Sequence, residues 1–205
     1  MIKNYIFDLG NVIVHFEPEY MTAEYVKNKE DIQFVSDVVF DRIFWDKLDE
    51  GTITDEEVIA GIRNRLPERL HEAAVKVFEN WYYHMPLTDG MAELLGKLKS
   101  DGKRLYLLSN ISITFAENYH KNKDLASVLN MFDGLVFTGY LGITKPDERI
   151  FRHLLDKYNL NANECVFIDD RLINIQGAEK VGIKGILFNG NADDLIGELQ
   201  GIKTQ

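Results

Sequence analysis

Five short apolar runs, separated by polar or helical stretches, constrain the fold of this chain more than any other feature. They cover residues 5–9, 105–108, 135–137, 165–168 and 185–188. Parallel strands that are covered on both faces read as continuous apolar runs, whereas half-exposed strands alternate apolar and polar residues. The later runs are separated by segments whose apolar residues recur at helical spacing. This alternation predicts an α/β protein with a doubly wound parallel sheet.

Three helices are predicted, one before the second run, one between the third and fourth runs and one between the fourth and fifth. Asp89 is expected to cap the first, which ends before Gly102. The second spans residues 147–158, and the third covers residues 174–181 and stops at Gly182. The first two place apolar side chains on one face, as helices that cover a sheet do.

Residues 17–85 interrupt this rhythm, because they contain no convincing strand and read as several helices. Thr54 and Glu57 have the spacing of a capping box, which marks the start of one of these helices. A helical insert after the first strand predicts a cap over the crevice at the edge of the sheet. We therefore predict a core of residues 1–16 and 86–205 and a helical cap of residues 17–85.

Composition narrows the possible partners and the cell compartment. The formal net charge is −10 and no dense Lys/Arg cluster is present, which disfavours nucleic acid. The single cysteine, Cys165, lies in an apolar run and is expected to be a small buried hydrophobe in a reducing compartment. No apolar stretch approaches the ~20 residues that span a bilayer, and strand-like sequence from Ile2 leaves no room for a signal peptide. We predict a cytoplasmic protein without membrane association, and expect the tail after Gly201 to fray.

Polar residues stand near the carboxyl ends of four of the five apolar runs. Asp8 follows the apolar start of the first run, Ser109 follows the second, Lys145 comes shortly after the third, and Asp169 and Asp170 follow the fourth. The carboxyl ends of parallel strands meet at one edge of the sheet, where open α/β sheets bind ligands. A carboxylate, a hydroxyl, a cation and an acidic pair at one edge suit phosphoryl transfer with a divalent metal.

The same positions carry a family resemblance. The matching segments are residues 7–14, 108–110, 144–147 and 167–170, and the last continues as Asn174-Ile175-Gln176-Gly177-Ala178. In order and spacing they resemble the haloacid dehalogenase superfamily of phosphohydrolases, whose core is Rossmann-like, from the first strand to about Phe188. The helical insert resembles the small helical cap of that superfamily. Within it, the chain is similar to bacterial α-glucose-1-phosphate phosphatases and to the phosphatase domain of soluble epoxide hydrolases.

The resemblance implies a role for each polar group in catalysis. Asp8 would be the nucleophile and form an aspartyl-phosphate, which splits one difficult displacement into two easier ones. Ser109 and backbone amides near Asn110 would bind the phosphoryl group, and Lys145 would neutralise charge on it and on Asp8. Pro146 is expected at the first position of the next helix, which would point a helix N-terminus at the same anion.

The resemblance also implies a bound Mg²⁺. Asp170 would be the main ligand, together with Asp8 and the backbone carbonyl of Gly10. Asp169 would be either a second ligand or an outer-shell carboxylate, and Asn174 would orient this shell. Oxygen ligands, with one or two carboxylates among them, are what Mg²⁺ prefers.

Gly10 departs from the pattern of most family phosphatases, which have a second aspartate there as general acid and then base. Glycine has no side chain that can donate a proton. The glucose-1-phosphate phosphatases share this departure, and we hypothesise that an anomeric oxygen leaves readily enough to need less protonation. Water, the metal shell or a side chain would then suffice, and His15 and Glu17 are the nearest candidates in the sequence.

We predict a Mg²⁺-dependent phosphatase that acts on a small phosphomonoester, such as glucose 1-phosphate. One alternative is a metal-independent 2-haloacid dehalogenase, in which Asp8 attacks carbon. Gly10 leaves that reading open, because dehalogenases also lack the second aspartate. Asp169 and Asp170 weigh against it, since without a metal they repel an anionic haloacid. The other alternative is a non-catalytic protein that binds a phosphorylated ligand. The sequence makes no prediction about protein partners.

Overall fold

A computed structural model describes residues 1–203 and shows a five-stranded sheet in which every strand is parallel to its neighbours. The strands are β1 (Asn4–Phe7), β2 (Arg104–Ser109), β3 (Gly134–Phe137), β4 (Cys165–Asp169) and β5 (Lys184–Leu187). All five predicted runs form strands, and the predicted fold class is confirmed. The strand order is β3-β2-β1-β4-β5, so successive strands are added on opposite sides of β1. This reversal creates a crevice at the carboxyl end of β1.

The register aligns the ends of the three central strands. Phe7 lies opposite Leu107 on β2 and opposite Ile168 on β4. The residues that follow these positions therefore emerge at similar heights along the sheet edge. β1 is buried on both faces, with Tyr5 and Phe7 in one apolar cluster and Ile6 in the other, which is why its sequence shows no alternation.

Eleven α-helices are present among the described residues. Those of residues 17–85 are α1 (Pro18–Ala23), α2 (Lys29–Val39), α3 (Arg42–Asp49), α4 (Asp55–Arg65) and α5 (His71–Asn80). The others are α6 (Met91–Ser100), α7 (Ile113–Asn118), α8 (Lys123–Leu129), α9 (Glu148–Tyr158), α10 (Leu172–Lys180) and α11 (Ala192–Lys203). α11 is assigned as far as Lys203, positions 204–205 lie outside the described residues, and the fraying expected after Gly201 stays a prediction. None of these helices is long and apolar enough to cross a bilayer.

The two chain segments that join the insert to the core are paired through their backbones. The His15 N–H donates to the Pro86 carbonyl, the Thr88 N–H donates to the Ile13 carbonyl, and Val14 forms an antiparallel bridge with Leu87. The insert therefore leaves and re-enters the core at one place. The domain boundaries at residues 16 and 86 stay a prediction.

The helix ends test the predicted capping residues. The Thr54 hydroxyl accepts from the Glu57 N–H at 3.2 Å and the Glu57 carboxylate accepts from the Thr54 N–H at 2.9 Å, which confirms the capping box. The predicted Asp89 cap is wrong. Gly90 occupies the N-cap position with φ +75°, a left-handed conformation that glycine adopts without steric cost.

The prediction for Pro146 is also wrong. Asp147 is the N-cap of α9, and its carboxylate accepts from the Arg149 N–H at 2.9 Å. Pro146 therefore precedes the helix and is not its first residue. α9 begins at Glu148, so Lys145 does not lie directly before the helix N-terminus as predicted. The helix predicted over residues 174–181 is α10, which starts earlier, so that Asn174 is its third residue.

Candidate active site

A cavity of about 380 Å³ lies at the carboxyl edge of the sheet, between the core and the helical insert. Core side chains line one side of it, and Phe40, residues of α3 and Trp81 line the other. The predicted site residues among its lining are Asp8, Gly10, Ser109, Asn110, Lys145 and Asp170. The seventh, Asp169, is fully buried directly beside them. The sheet edge thus gathers all of the predicted groups.

Asp8 directly follows β1, and its backbone N–H donates to the Ile168 carbonyl at 2.9 Å. Its Oδ1 accepts from the Leu9 N–H at 2.7 Å and lies 2.8 Å from the Lys145 Nζ. No donor among the described residues occupies its Oδ2. Burial raises the pKa of Asp8 to about 7, and the Lys145 ammonium opposes that shift. One oxygen of this carboxylate is held in place while the other remains available to a ligand.

Lys145 is buried between two carboxylates. Its Nζ lies 2.8 Å from Asp8 Oδ1 and 2.8 Å from Asp169 Oδ2, and its side chain is 1% exposed. Burial alone would lower the pKa of Lys145, but the two carboxylates raise it above its ordinary value. The ammonium therefore stays charged. The Asn110 side chain holds the Lys145 backbone at both its N–H (2.8 Å) and its carbonyl (3.0 Å).

The Asn110 side chain has a positioning role that the sequence did not reveal. Its amide is engaged with the loop that carries Lys145, so a contact from Asn110 to a ligand would come from the backbone. No sequence signal links these two residues, because they lie 35 positions apart.

Asp169 is saturated with hydrogen bonds. Its Oδ2 accepts from the Lys145 ammonium at 2.8 Å, and its Oδ1 accepts from the Arg171 N–H at 2.8 Å. The Asn174 side-chain amide donates to both oxygens at 3.0 Å. Of the two roles considered for Asp169, this arrangement favours an outer-shell carboxylate that holds Lys145 in place.

Asp170 is the less engaged of the acidic pair. It is half-buried, and its Oδ2 accepts a long 3.5 Å contact from the Asn11 side chain. Burial and the neighbouring Asp169 raise the pKa of Asp170. One carboxylate oxygen from each of Asp8, Asp169 and Asp170 lies within 4.8 Å of the others.

These charges leave the site with a negative excess that a divalent cation would balance. Three carboxyl groups face a single ammonium, so the site has more acidic than basic groups. The buried Asn174 Oδ1 also has no hydrogen-bond donor among the described residues, and a water bound to such an ion would supply one. Oxygen donors, available lone pairs and charge excess all suit a hard divalent cation.

Ser109 ends β2 and is 2% exposed. No described residue hydrogen-bonds its hydroxyl, which lines the cavity and is available to a ligand oxygen. His15 and Glu17, which the sequence suggested as substitutes for the missing acid, do not line the cavity. The His15 backbone instead pairs with Pro86 at the base of the insert.

Asp49 is a cavity residue that sequence reasoning missed. It is the last residue of α3, and an acidic residue at a helix end ordinarily reads as solvated. Desolvation raises the pKa of Asp49 to about 7. The sequence contains only an indirect sign of its position. Gly51, two residues later, is needed where the chain after α3 packs closely against the backbone of Gly139. A Cβ on Gly51 would lie 2.1 Å from the Gly139 carbonyl oxygen.

Thr138 fastens this end of α3 to the core. Its buried hydroxyl donates to the Asp49 carbonyl at 2.7 Å and accepts from the Ile111 N–H at 3.1 Å. We expect Thr138→Val to lower the free energy of unfolding by about 1–3 kcal/mol, because both backbone groups lose their partner in a buried place. Urea unfolding at equilibrium measures this.

The matched control is Thr52→Val, which removes an exposed hydroxyl that bonds the Lys47 carbonyl at 3.3 Å. Its effect should stay within about 0.5 kcal/mol. Equal stability of the two variants would contradict a structural role for the Thr138 hydroxyl.

Comparison with known families matches residues 2–182 to a haloacid dehalogenase-like hydrolase family. The chain belongs to this family. The match spans all strands up to β4 and the whole insert, and it confirms the resemblance inferred from the motifs at the strand ends.

Similar proteins within this group of hydrolases have more than one activity. The sesquiterpene phosphatase of Aspergillus oryzae is 25% identical over 184 residues, which cover 90% of this chain and 88% of that protein. The D-ribitol-5-phosphate phosphatase of Bacteroides thetaiotaomicron is 25% identical, covering 94% and 95%. The (S)-2-haloacid dehalogenase 4A of Burkholderia cepacia is 30% identical, covering 71% of this chain and 59% of that protein.

Among solved structures, a haloacid dehalogenase family enzyme of Bacteroides thetaiotaomicron in a magnesium complex superimposes with a TM-score of 0.71. It is 26% identical and covers 93% of this chain and 94% of its own.

Proposed function

We propose that this protein is a Mg²⁺-dependent phosphatase that hydrolyses a small phosphomonoester through an aspartyl-phosphate on Asp8. The substrate we propose is a sugar phosphate such as glucose 1-phosphate. One observation carries the proposal. Asp8 offers a carboxylate oxygen to the cavity while a buried ammonium and two further carboxylates stand around it. The phosphatases among its relatives support the same chemistry.

Each residue has a task in the proposed reaction. The Asp8 Oδ2 attacks phosphorus, while Lys145 holds Oδ1 at 2.8 Å and keeps the carboxylate aligned. The Ser109 hydroxyl donates to a phosphoryl oxygen. Pre-set donors and positive charge are most of what a protein contributes to phosphoryl transfer.

Asp170, Asp8 and the Gly10 carbonyl would hold the Mg²⁺, and Asp169 would stay in the outer shell. When bound, the ion neutralises charge on the phosphoryl group. Asp169 and Asn174 contribute indirectly, because their hydrogen bonds fix Lys145 and the end of β4.

The cavity suits a small metabolite. Its volume of about 380 Å³ lies near the lower end of the range for small-molecule sites, about 300–1,000 Å³. Phe16, Trp45 and Trp81 supply apolar surface, while Arg42 and Glu50 supply polar groups at the insert side. A phosphate on the sheet edge and a polyol beneath the insert would fill such a space.

Phosphate release from a panel of sugar phosphates tests the proposal. We expect release in the presence of Mg²⁺ and a loss of at least about 10²-fold with a chelator, reversed by excess Mg²⁺, because the ion stabilises transition-state charge. Sugar 1-phosphates should be hydrolysed faster than phosphates of primary alcohols. No release from any ester with Mg²⁺ present would overturn the proposal.

A dehalogenase is the second candidate, favoured by Gly10 and by the 30% identity to (S)-2-haloacid dehalogenase 4A. Asp170 opposes it, because a free carboxylate in the cavity repels an anionic haloacid. Halide release from a 2-haloacid with chelator present would support this candidate. Thermal stabilisation by phosphate esters without any release would support a non-catalytic binding protein.

A further inference from the structure

The position that carries a general acid in related phosphatases has no side chain here. Packing does not require this, because a Cβ on Gly10 would meet only the Phe16 Cβ at an ordinary 3.8 Å. His15 and Glu17 do not line the cavity. Hydrolysis of an alkyl phosphate needs a proton for the leaving oxygen, and a titratable side chain at the cavity wall can supply it.

Asp49 is placed to do this from the opposite wall. It ends α3 and lines the cavity that Asp8 and Lys145 also line. No described residue donates a hydrogen bond to its carboxyl group. Its backbone is fixed by Thr138, so the carboxyl group is held at the cavity wall by a bond to the core and not by α3 alone.

The charges around Asp49 let it hold or release a proton near neutral pH. Desolvation raises the pKa of Asp49 to about 7, with Asp46 and Asp8 acting in the same direction. Arg42 and Lys145 act against the rise. A general acid and base works best when its pKa lies near the working pH.

We propose that Asp49 is the general acid, and then the general base, of the phosphatase reaction. This inference rests on the proposed function. When Asp8 Oδ2 bonds to phosphorus, the bond from phosphorus to the leaving oxygen breaks, and that oxygen takes the proton of the Asp49 carboxylic acid. The products of this step are the free alcohol, the aspartyl-phosphate and the Asp49 carboxylate.

The second half of the reaction returns Asp49 to its starting state. A water oxygen bonds to phosphorus as its proton passes to the Asp49 carboxylate, and the bond from phosphorus to Asp8 breaks. Inorganic phosphate leaves, Asp8 is again a carboxylate and Asp49 is again protonated. The acid comes from the insert, so closure of the insert over the substrate would also complete the catalytic set.

Asp49→Asn tests the proposal through its dependence on the leaving group. We expect kcat/KM to fall by about 10²–10³-fold on the alkyl phosphate that the parent hydrolyses fastest, the usual scale for a lost general acid. On p-nitrophenyl phosphate the loss should be only a few-fold, because nitrophenolate leaves without a proton. Asp37→Asn, on the exposed face of α2, removes the same charge outside the cavity and should match the parent on both esters.

A second substitution tests whether a carboxylic acid at another position can replace the Asp49 side chain. Gly10→Asp in the Asp49→Asn background places a carboxylic acid at the vacant position, and we expect it to recover alkyl phosphate hydrolysis by at least about tenfold. Thermal unfolding of each variant shows whether the fold is retained.

The possible failures are distinguishable. Equal losses on both esters, with no recovery by Gly10→Asp, would assign Asp49 to substrate binding or structure and overturn its role as an acid. Unchanged rates in Asp49→Asn would overturn it as well, as would a parent that hydrolyses only the nitrophenyl ester. A parent that releases phosphate from no ester would instead overturn the proposed function.

Discussion

Asp8→Asn is expected to abolish phosphate release, with a loss of at least about 10³-fold in kcat, because loss of a covalent nucleophile is among the most damaging changes an enzyme can suffer. The amide has nearly the same shape as the carboxylate and keeps an oxygen that can accept from Lys145. The loss would therefore come from nucleophilicity and not from folding. Rates of phosphate release by the parent and by Asp8→Asn, at saturating substrate and Mg²⁺, measure this.

Two controls separate chemistry from structure in this experiment. Asp37→Asn carries the same substitution at an exposed position of α2 and should keep parental activity. Acid-quenched parent should contain acid-stable, hydroxylamine-labile phosphate bound to protein, and Asp8→Asn should contain none. Normal turnover by Asp8→Asn would overturn both the proposed nucleophile and the proposed mechanism.

Lys145→Met is expected to lower the free energy of unfolding by about 3–5 kcal/mol at neutral pH in the presence of chelator. Lys145 is the ammonium that holds Asp8 and Asp169 together, at 2.8 Å from each. Methionine fills a similar volume but leaves two buried carboxylates facing each other. Removing one partner from a buried ion pair costs more than the pair itself contributes, because the remaining charge has lost its compensation. Chemical denaturation at equilibrium measures the difference.

The destabilisation caused by Lys145→Met should depend on pH in a defined direction. Burial raises the folded-state pKa of Asp8 above the unfolded value, about 3.9 for aspartate, and the rise becomes larger without the Lys145 ammonium that opposes it. The penalty is then small below the unfolded pKa and grows as the pH rises toward the folded pKa. We expect parent and variant to be closest in stability near pH 4 and furthest apart at neutral pH.

Lys47→Met is the matched control, because Lys47 is exposed on α3 and outside the cavity. It should change stability by no more than about 0.5 kcal/mol at any pH. A Lys145→Met protein as stable as Lys47→Met at neutral pH would contradict the role assigned to the buried ammonium.

Local sequence signals predicted the elements and most of the polar groups at the sheet edge. The five apolar runs were recognisable as strands because each is short, continuous and apolar, a signal that can be read without reference to the rest of the chain. The capping box of Thr54 and Glu57 was predictable because both of its bonds lie within one helical turn. Pro146 and Asp89 were assigned wrongly, since several adjacent residues could cap each helix and the choice depends on how the loop packs.

By itself the sequence determined the doubly wound sheet and brought Asp8, Ser109, Lys145 and the acidic pair to one edge, because parallel strands all end on the same side. Only the tertiary structure decided how these groups divide their tasks. Both oxygens of Asp169 accept hydrogen bonds from Lys145 or Asn174, whereas Asp170 has one long contact from Asn11. These two residues are adjacent, so the difference comes from contacts with other elements. The tertiary structure also decided that Asp49 lines the cavity. That placement depends on how α3 packs against the loop after β3, and such long-range contacts leave no periodic signal in the sequence.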